Sequence, residues 1–391
     1  MIETIDQIFV MLKHWLVGYV PAPAQPIVSG LISVIPIILL FPLLFALITV
    51  MERKGLGRIQ NRYGPNRVGP IGLFQPIADG LKTLTKENIV PLAADKAVHL
   101  LAPLALVIAT FLGFAVIPMG RNMVAVNMDA AVLFFFAAGS MSELAVFMAG
   151  WSSRNKYSLL GAMRAIAQMI SYEVPLILSA VSVIMMTGTL STVTIVNQQS
   201  GYSGFVPHWF VLTPWGFAGF VLFMIAATAE SNRSPFDLPE GESELIAGYY
   251  TEYSGFKFAL FFLAEYLGMM SISGMAITLF LGGWNAPFPF LTWVPSYLWF
   301  FGKLFVLICG FIWIRGTLPR LRMDQLMDFA WRFMLPMAIV NLVTTGLWRF
   351  LPEGIIRWLI CSAMVVAAYV LLGLGLASKK HSEKRVYQLA E

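Results

Sequence analysis

Nine stretches of this 391-residue chain, at about 29–51, 96–118, 129–150, 159–187, 213–231, 256–282, 297–316, 332–351 and 355–377, are apolar almost without interruption. About 20 such residues is the length a helix needs to cross a bilayer. The runs are continuous rather than alternating, which excludes a transmembrane barrel and leaves helices as the spanning structure. The sequence therefore predicts an all-α integral membrane protein, one transmembrane domain over 1–391 with about nine transmembrane helices. Loops at 52–95, 151–158, 232–255 and 317–331 join them on one side. Pro175 inside the fourth run removes a helix hydrogen bond and predicts a kink. Only Leu351-Pro352-Glu353-Gly354 separates the last two runs.

The basic residues set an orientation. Those loops, the span ends beside them and the C-terminal tail hold 21 Lys and Arg, against 4 on the other side. The positive-inside rule makes the basic side cytoplasmic, with the N-terminus outside and the C-terminus inside. No cleavable signal pattern precedes the first run. The outer loops 119–128, 188–212 and 283–296 are nearly uncharged, so the chemically rich sequence faces one way. That asymmetry, and the lack of an internal repeat, favour a one-sided docking surface over a transporter.

Several chemistries are excluded. Cys309 and Cys361 stand in separate apolar runs, too few for an iron–sulfur cluster or a cysteine zinc site. His14, His99, His208 and His381 form no ligand pair. No glycine-rich phosphate loop follows a strand. The chain is expected to bind no metal, cofactor or nucleic acid, and any electrons must come from another subunit.

The first cytoplasmic loop is dense in turn residues, with Gly or Pro at 55, 57, 64, 65, 69, 70 and 72. From Gly72 to Glu87 the pattern changes. Leu73, Ile77, Leu81 and Leu84 recur at helical spacing, which predicts an amphipathic helix on the membrane surface. Arg164 and Gln168 lie one turn apart and share an inward face.

Because only 12% of the chain is charged, acids within the runs need a reason. Glu143, Glu265 and Glu173 lie roughly 10, 13 and 21 Å along their helices from the cytoplasmic end, at 1.5 Å per residue. Glu230 closes the fifth run. Asp237, Glu240, Glu242, Glu244 and Glu252 then crowd into sixteen residues. Glu240 and Glu244, four apart on one possible short helix, repel each other unless one is protonated. One intramembrane acid alone fits a structural hydrogen bond. A graded set fits a proton relay. Lys303, six residues from an outer span end, can snorkel to headgroups.

Specific runs of residues carry a resemblance. These are Glu52-Arg53-Lys54-Gly55, Gly64-Pro65-Asn66 with Gly69-Pro70, Gln75-Pro76 with Ala78-Asp79, and Ser171-Tyr172-Glu173-Val174. Ala229-Glu230 through Arg233, Pro235-Phe236-Asp237-Leu238 and Glu240-Gly241-Glu242-Ser243-Glu244-Leu245 continue it, and Phe258 to Glu265-Tyr266 closes it. From about 30 to 340 the chain resembles the quinone-site membrane subunit (the H subunit) of proton-pumping NADH:quinone oxidoreductase, respiratory complex I. The ninth run resembles only longer members. The resemblance implies a heel of the membrane arm in a bacterial inner membrane, walling a tunnel from the bilayer to the quinone site and coupling quinone reduction to proton translocation. It makes Arg53, Arg62, Asp79, Lys82, Arg233 and Phe262 tunnel residues. It makes Glu143, Glu173, Glu230, Glu240, Glu242, Glu244, Glu252 and Glu265 the proton relay. It implies quinone as substrate, with FMN and iron–sulfur clusters in partner subunits. Those partners are peripheral-arm iron–sulfur and quinone-site subunits on the cytoplasmic face, small membrane subunits, and membrane lipids. The chain alone would not be catalytic. A second reading is the homologous subunit of a membrane-bound hydrogenase or a coenzyme F420-dependent dehydrogenase. A third, less favoured, is a stand-alone proton-coupled transporter.

Overall fold

The computed structural model describes residues 6–237 and 247–378. Its helices are α1 (Ile8–Gly18), α2 (Gln25–Ile59), α3 (Gln75–Thr85), α4 (Lys96–Phe114), α5 (Ala131–Ser152), α6 (Lys156–Thr187), α7 (Thr192–Gln198), α8 (Pro214–Glu230), α9 (Gly255–Phe280), α10 (Ser296–Thr317), α11 (Met323–Phe350) and α12 (Ile355–Ser378). A two-residue hairpin, β1 (Tyr202–Ser203) with β2 (Val206–Pro207), is the one sheet among the described residues. Eight of these helices are long and apolar enough to cross a membrane. α8, at 17 residues, is shorter.

Some boundaries differ from hydropathy, for local reasons. α2 continues past the apolar run to Ile59, so Glu52 lies within a helix rather than in a loop. α11 begins before its apolar run and contains a π turn, Ala330–Met334, just ahead of Pro336. The missing N–H of proline suits such a register change. α6 runs helical through Pro175.

In lipid, helices gain nothing by hiding apolar surface from tails that are equally apolar, so close packing must hold them together. Small residues supply it. A Cβ on Gly113 of α4 would lie 2.6 Å from Ser271 Oγ of α9, and one on Gly150 would lie 2.4 Å from Ala162 Cβ across the α5–α6 turn. α9 is the hub, packed on α4, α8 and α10. Its most apolar window is 72% buried, against 6% for α12, which is therefore peripheral.

The end of α9 facing away from the basic side is closed by side chains, as exposed terminal carbonyls require. Gln199 donates to Thr278 O (3.1 Å) and Leu279 O (3.2 Å). Lys303 does not reach out to headgroups. Its ammonium donates to the carbonyls of Leu281, Gly283 and Asn285 at 2.7, 2.8 and 2.7 Å and lies over the Trp209 ring. Three carbonyls satisfy all three of its donors.

At the basic end the turn residues act by close approach. Gly72 has φ +76°, and a Cβ there would lie 2.3 Å from Pro65 O. α3 follows, with Leu73, Ile77, Leu81 and Leu84 all exposed on the described structure. An apolar face left open beside membrane spans is the geometry of a surface-lying helix.

Candidate functional site

Four helices bring half-buried carboxylates near one another. Glu143 on α5 and Glu173 on α6 lie within side-chain reach of each other. Ser140, one turn before Glu143, donates to Glu173 Oε1 at 2.5 Å. Glu230, the last residue of α8, lies within electrostatic reach of both. Its Oε1 stands over Gly139, where a Cβ would come within 3.4 Å. Its Oε2 is buried without a hydrogen-bond partner among the described residues.

Glu230 and Glu265 line the same cavity, of about 90 Å³, walled also by Ser142, Ser271, Asn232 and Tyr249. A water needs roughly 10–15 Å³ of such space and a few polar partners, so the cavity has room for several. Gln168 fixes the end of α8 beside it, donating to Ala229 O (2.7 Å) and Phe236 O (2.6 Å). The inward face expected of Arg164 and Gln168 thus has a definite role at Gln168, which is buried, while Arg164 is half-buried.

The neighbour of Glu265 on α9 faces a second cluster. Tyr266 donates to Glu52 Oε2 at 2.7 Å. Glu52 Oε1 accepts from Arg315 and, at 3.3 Å, from Arg233. The Arg233 guanidinium sits 3.8 Å from the Tyr266 ring centroid. One buried carboxylate therefore meets two guanidiniums and a phenol. Burial opposes the charge on Arg233, but Tyr266, Glu52 and Glu265 outweigh it and hold the group above its ordinary range. Phe262 packs one turn away, 5.0 Å from Tyr266, with Phe45 6.3 Å off.

The other expected tunnel residues lie at the surface of this end. Arg53 pairs with Asp79 at 2.6 Å, and Gln75 donates to the same carboxylate. Arg62 is exposed and bonds Gln60, and Lys82 is exposed on α3. Asp237 is buried against Arg320. Of the expected relay acids, Glu143, Glu173, Glu230 and Glu265 come together. Glu252 stands apart from them, accepting from Asn155 Nδ2 at 2.6 Å. Glu240, Glu242 and Glu244 lie outside the described residues.

Sequence reasoning does not single out Glu52, Arg315 and Tyr266 as a unit. Glu52 reads as the first loop residue and Arg315 as a loop cation, 263 positions apart. The available signal is their placement at the ends of two apolar runs on one side of the membrane. Tyr249 and Tyr250, whose hydroxyls meet at 2.5 Å, belong to no motif that sequence reasoning recognises.

Fold and geometry define a class: an all-α, multi-pass membrane protein with carboxylates gathered between its helices beside a cluster of Glu52, Arg233 and Arg315. Comparison with known proteins narrows the class. The sequence profile described as NADH dehydrogenase matches residues 32–346. The chain is 50% identical over 296 residues to the H subunit of NADH-quinone oxidoreductase from Dehalococcoides mccartyi (strain CBDB1), covering 76% of this chain and 80% of that one. It is 44% identical over 337 residues to the corresponding H subunit of Burkholderia vietnamiensis, covering 85% and 94%. Identity to the H subunit of Carboxydothermus hydrogenoformans is 45% over 349 residues, 89% and 97% of the two chains. This chain belongs to the NADH dehydrogenase family of H-type membrane subunits.

Proposed function

We propose that this chain walls a quinone access tunnel in a proton-translocating NADH-quinone oxidoreductase and couples quinone reduction to proton movement through its buried carboxylates. One observation carries the reading. Consecutive residues of α9 face two sites, Tyr266 the Glu52–Arg233–Arg315 cluster and Glu265 the cavity it shares with Glu230. Arg233 lies in the field of Glu265 as well as of Glu52. A change of charge at a quinone headgroup beside Arg233 would therefore reach Glu265 directly, because Coulomb interactions are weakly screened in a buried site.

In this mechanism an apolar corridor takes the isoprenoid tail, with Phe262 in its wall and Arg53, Arg62, Asp79, Lys82 and Arg233 along its polar side. Quinone reduction takes up protons and shifts charge at the Glu52–Arg233–Arg315 cluster. Glu265 exchanges a proton with Glu230 through the cavity, and Glu230 passes it to the Glu173–Glu143 pair. Glu240, Glu242, Glu244 and Glu252 serve the cytoplasmic side of the same route. Electrons arrive from FMN and iron–sulfur clusters held by peripheral-arm subunits on the basic face, and small membrane subunits receive the coupled change. The site lies in the bacterial inner membrane, with the N-terminus outside and the C-terminus cytoplasmic, an orientation the basic loops support. The chain is not catalytic alone.

The test is Glu265→Gln and Glu230→Gln, each in the assembled complex. Quinone-coupled turnover and pumping should fall at least about tenfold, the effect of ~1.4 kcal/mol on a barrier. Unchanged pumping in both would refute the relay.

A further inference from the structure

Glu265 is not only a wall of the cavity. The Tyr250 hydroxyl donates to Glu265 Oε1. The Tyr249 and Tyr250 hydroxyls lie 2.5 Å apart. The Tyr250 hydrogen is committed to the carboxylate, so Tyr249 is the donor between them and the three groups form a directed line. Both rings are buried, and both pack edge-on against Phe261, with centroids at 5.8 and 5.4 Å. Their backbone is seated by a close approach: a Cβ on Gly161 of α6 would lie 2.6 Å from Gly248 Cα and 3.1 Å from Tyr249 N. Burial first, then Glu265 and Tyr249, carry the Tyr250 hydroxyl well above its usual value, so it stays a neutral phenol. In sequence the pair follows Glu240, Glu242 and Glu244 by five to ten residues, on the side where the basic loops lie.

We infer that Tyr249 and Tyr250 form a two-phenol proton wire that delivers protons from the cytoplasmic loop to Glu265. This rests on the carboxylate relay proposed above and adds its way in. The step balances without an ionised phenol. A proton binds Tyr249 oxygen as the Tyr249 hydrogen passes to Tyr250 oxygen and the Tyr250 hydrogen passes to Glu265. The carboxylate becomes a carboxylic acid and both phenols end neutral. Rotation of the two hydroxyls restores the line. Hydroxyls suit this role because each is donor and acceptor at once.

The test uses the assembled complex in proteoliposomes, with quinone reduction, proton pumping and the solvent deuterium isotope effect measured together. Tyr250→Phe keeps the ring contacts and removes the hydroxyl. It should assemble, lose turnover about tenfold and lose most of the isotope effect on pumping. Tyr249→Phe, which leaves the Tyr250–Glu265 contact intact, should show the same pattern. It decides the question if the first variant does not assemble. Tyr250→His restores a side chain that both accepts and donates a proton, and should recover most of the rate. Equal losses in Tyr250→Phe and Tyr250→His would assign these residues to positioning and overturn the wire. Wild-type pumping in both phenylalanine variants beside an inactive Glu265→Gln would also overturn it while leaving the carboxylate relay standing. An active Glu265→Gln would remove the relay itself.

Discussion

Glu52 shows how one side chain can hold one end of a membrane protein together. It accepts from Tyr266, Arg233 and Arg315, which come from three separate segments. Breaking a buried ion pair by removing one partner costs about 3–5 kcal/mol, because the remaining charge has no counter-charge. Glu52→Ala should therefore lower the melting temperature of the purified complex and cut assembly, measured by native gel and thermal unfolding. Lys303 is the contrasting case. It is a membrane-embedded cation whose three hydrogen bonds all go to backbone carbonyls next to α9. Lys303→Met leaves those carbonyls unpaired at about 1–3 kcal/mol each if they stay dry. The expected outcome is a lower melting temperature with unchanged turnover per assembled complex. A loss of turnover without destabilisation would give Lys303 a functional role instead.

Among the elements, α6 carries the most consequential contact surface. Its Gly161 admits the 248–250 turn, its Gln168 pins the end of α8, and its Glu173 meets Glu143. Gly161→Ala would push a methyl group into the backbone at Gly248 and shift Tyr249 and Tyr250 away from Glu265. Overpacking of this kind costs about 1–3 kcal/mol. The complex should still assemble, with turnover several-fold down, as enzyme assay on assembled material would report. Hydropathy revealed that apolar helices were present but not where each one ended. α2 runs on to Ile59 because nothing in Glu52-Arg53-Lys54 breaks a helix, although those residues end the apolar run. The amphipathic period of 72–87 was legible because α3 keeps its apolar face outward. The tyrosine pair was not, because a 3-10 turn of three residues has no periodicity to read.

For the molecule as a whole, the cavity links acids borne by different helices. Gly268 lines it, and a Cβ there meets only the Thr110 methyl, at an ordinary contact distance of 3.7 Å. Gly268→Leu should fill it with little loss of stability and interrupt transfer between Glu265 and Glu230, cutting proton pumping about tenfold or more in proteoliposomes. Pumping at the wild-type rate would place the proton path elsewhere. The sequence by itself determined the fold class, the family and the presence of acids within the spans. Apolar length and motif are properties of consecutive residues, and they survive without knowledge of neighbours. Only the tertiary structure decided which acids meet. Glu143, Glu173, Glu230 and Glu265 converge while Glu252 turns to Asn155. In lipid every helix is apolar on most sides, so hydropathy leaves its rotation about its axis undetermined. That rotation, set by the close packing of small residues such as Gly113, Gly150 and Gly161, is what aims a carboxylate at a partner.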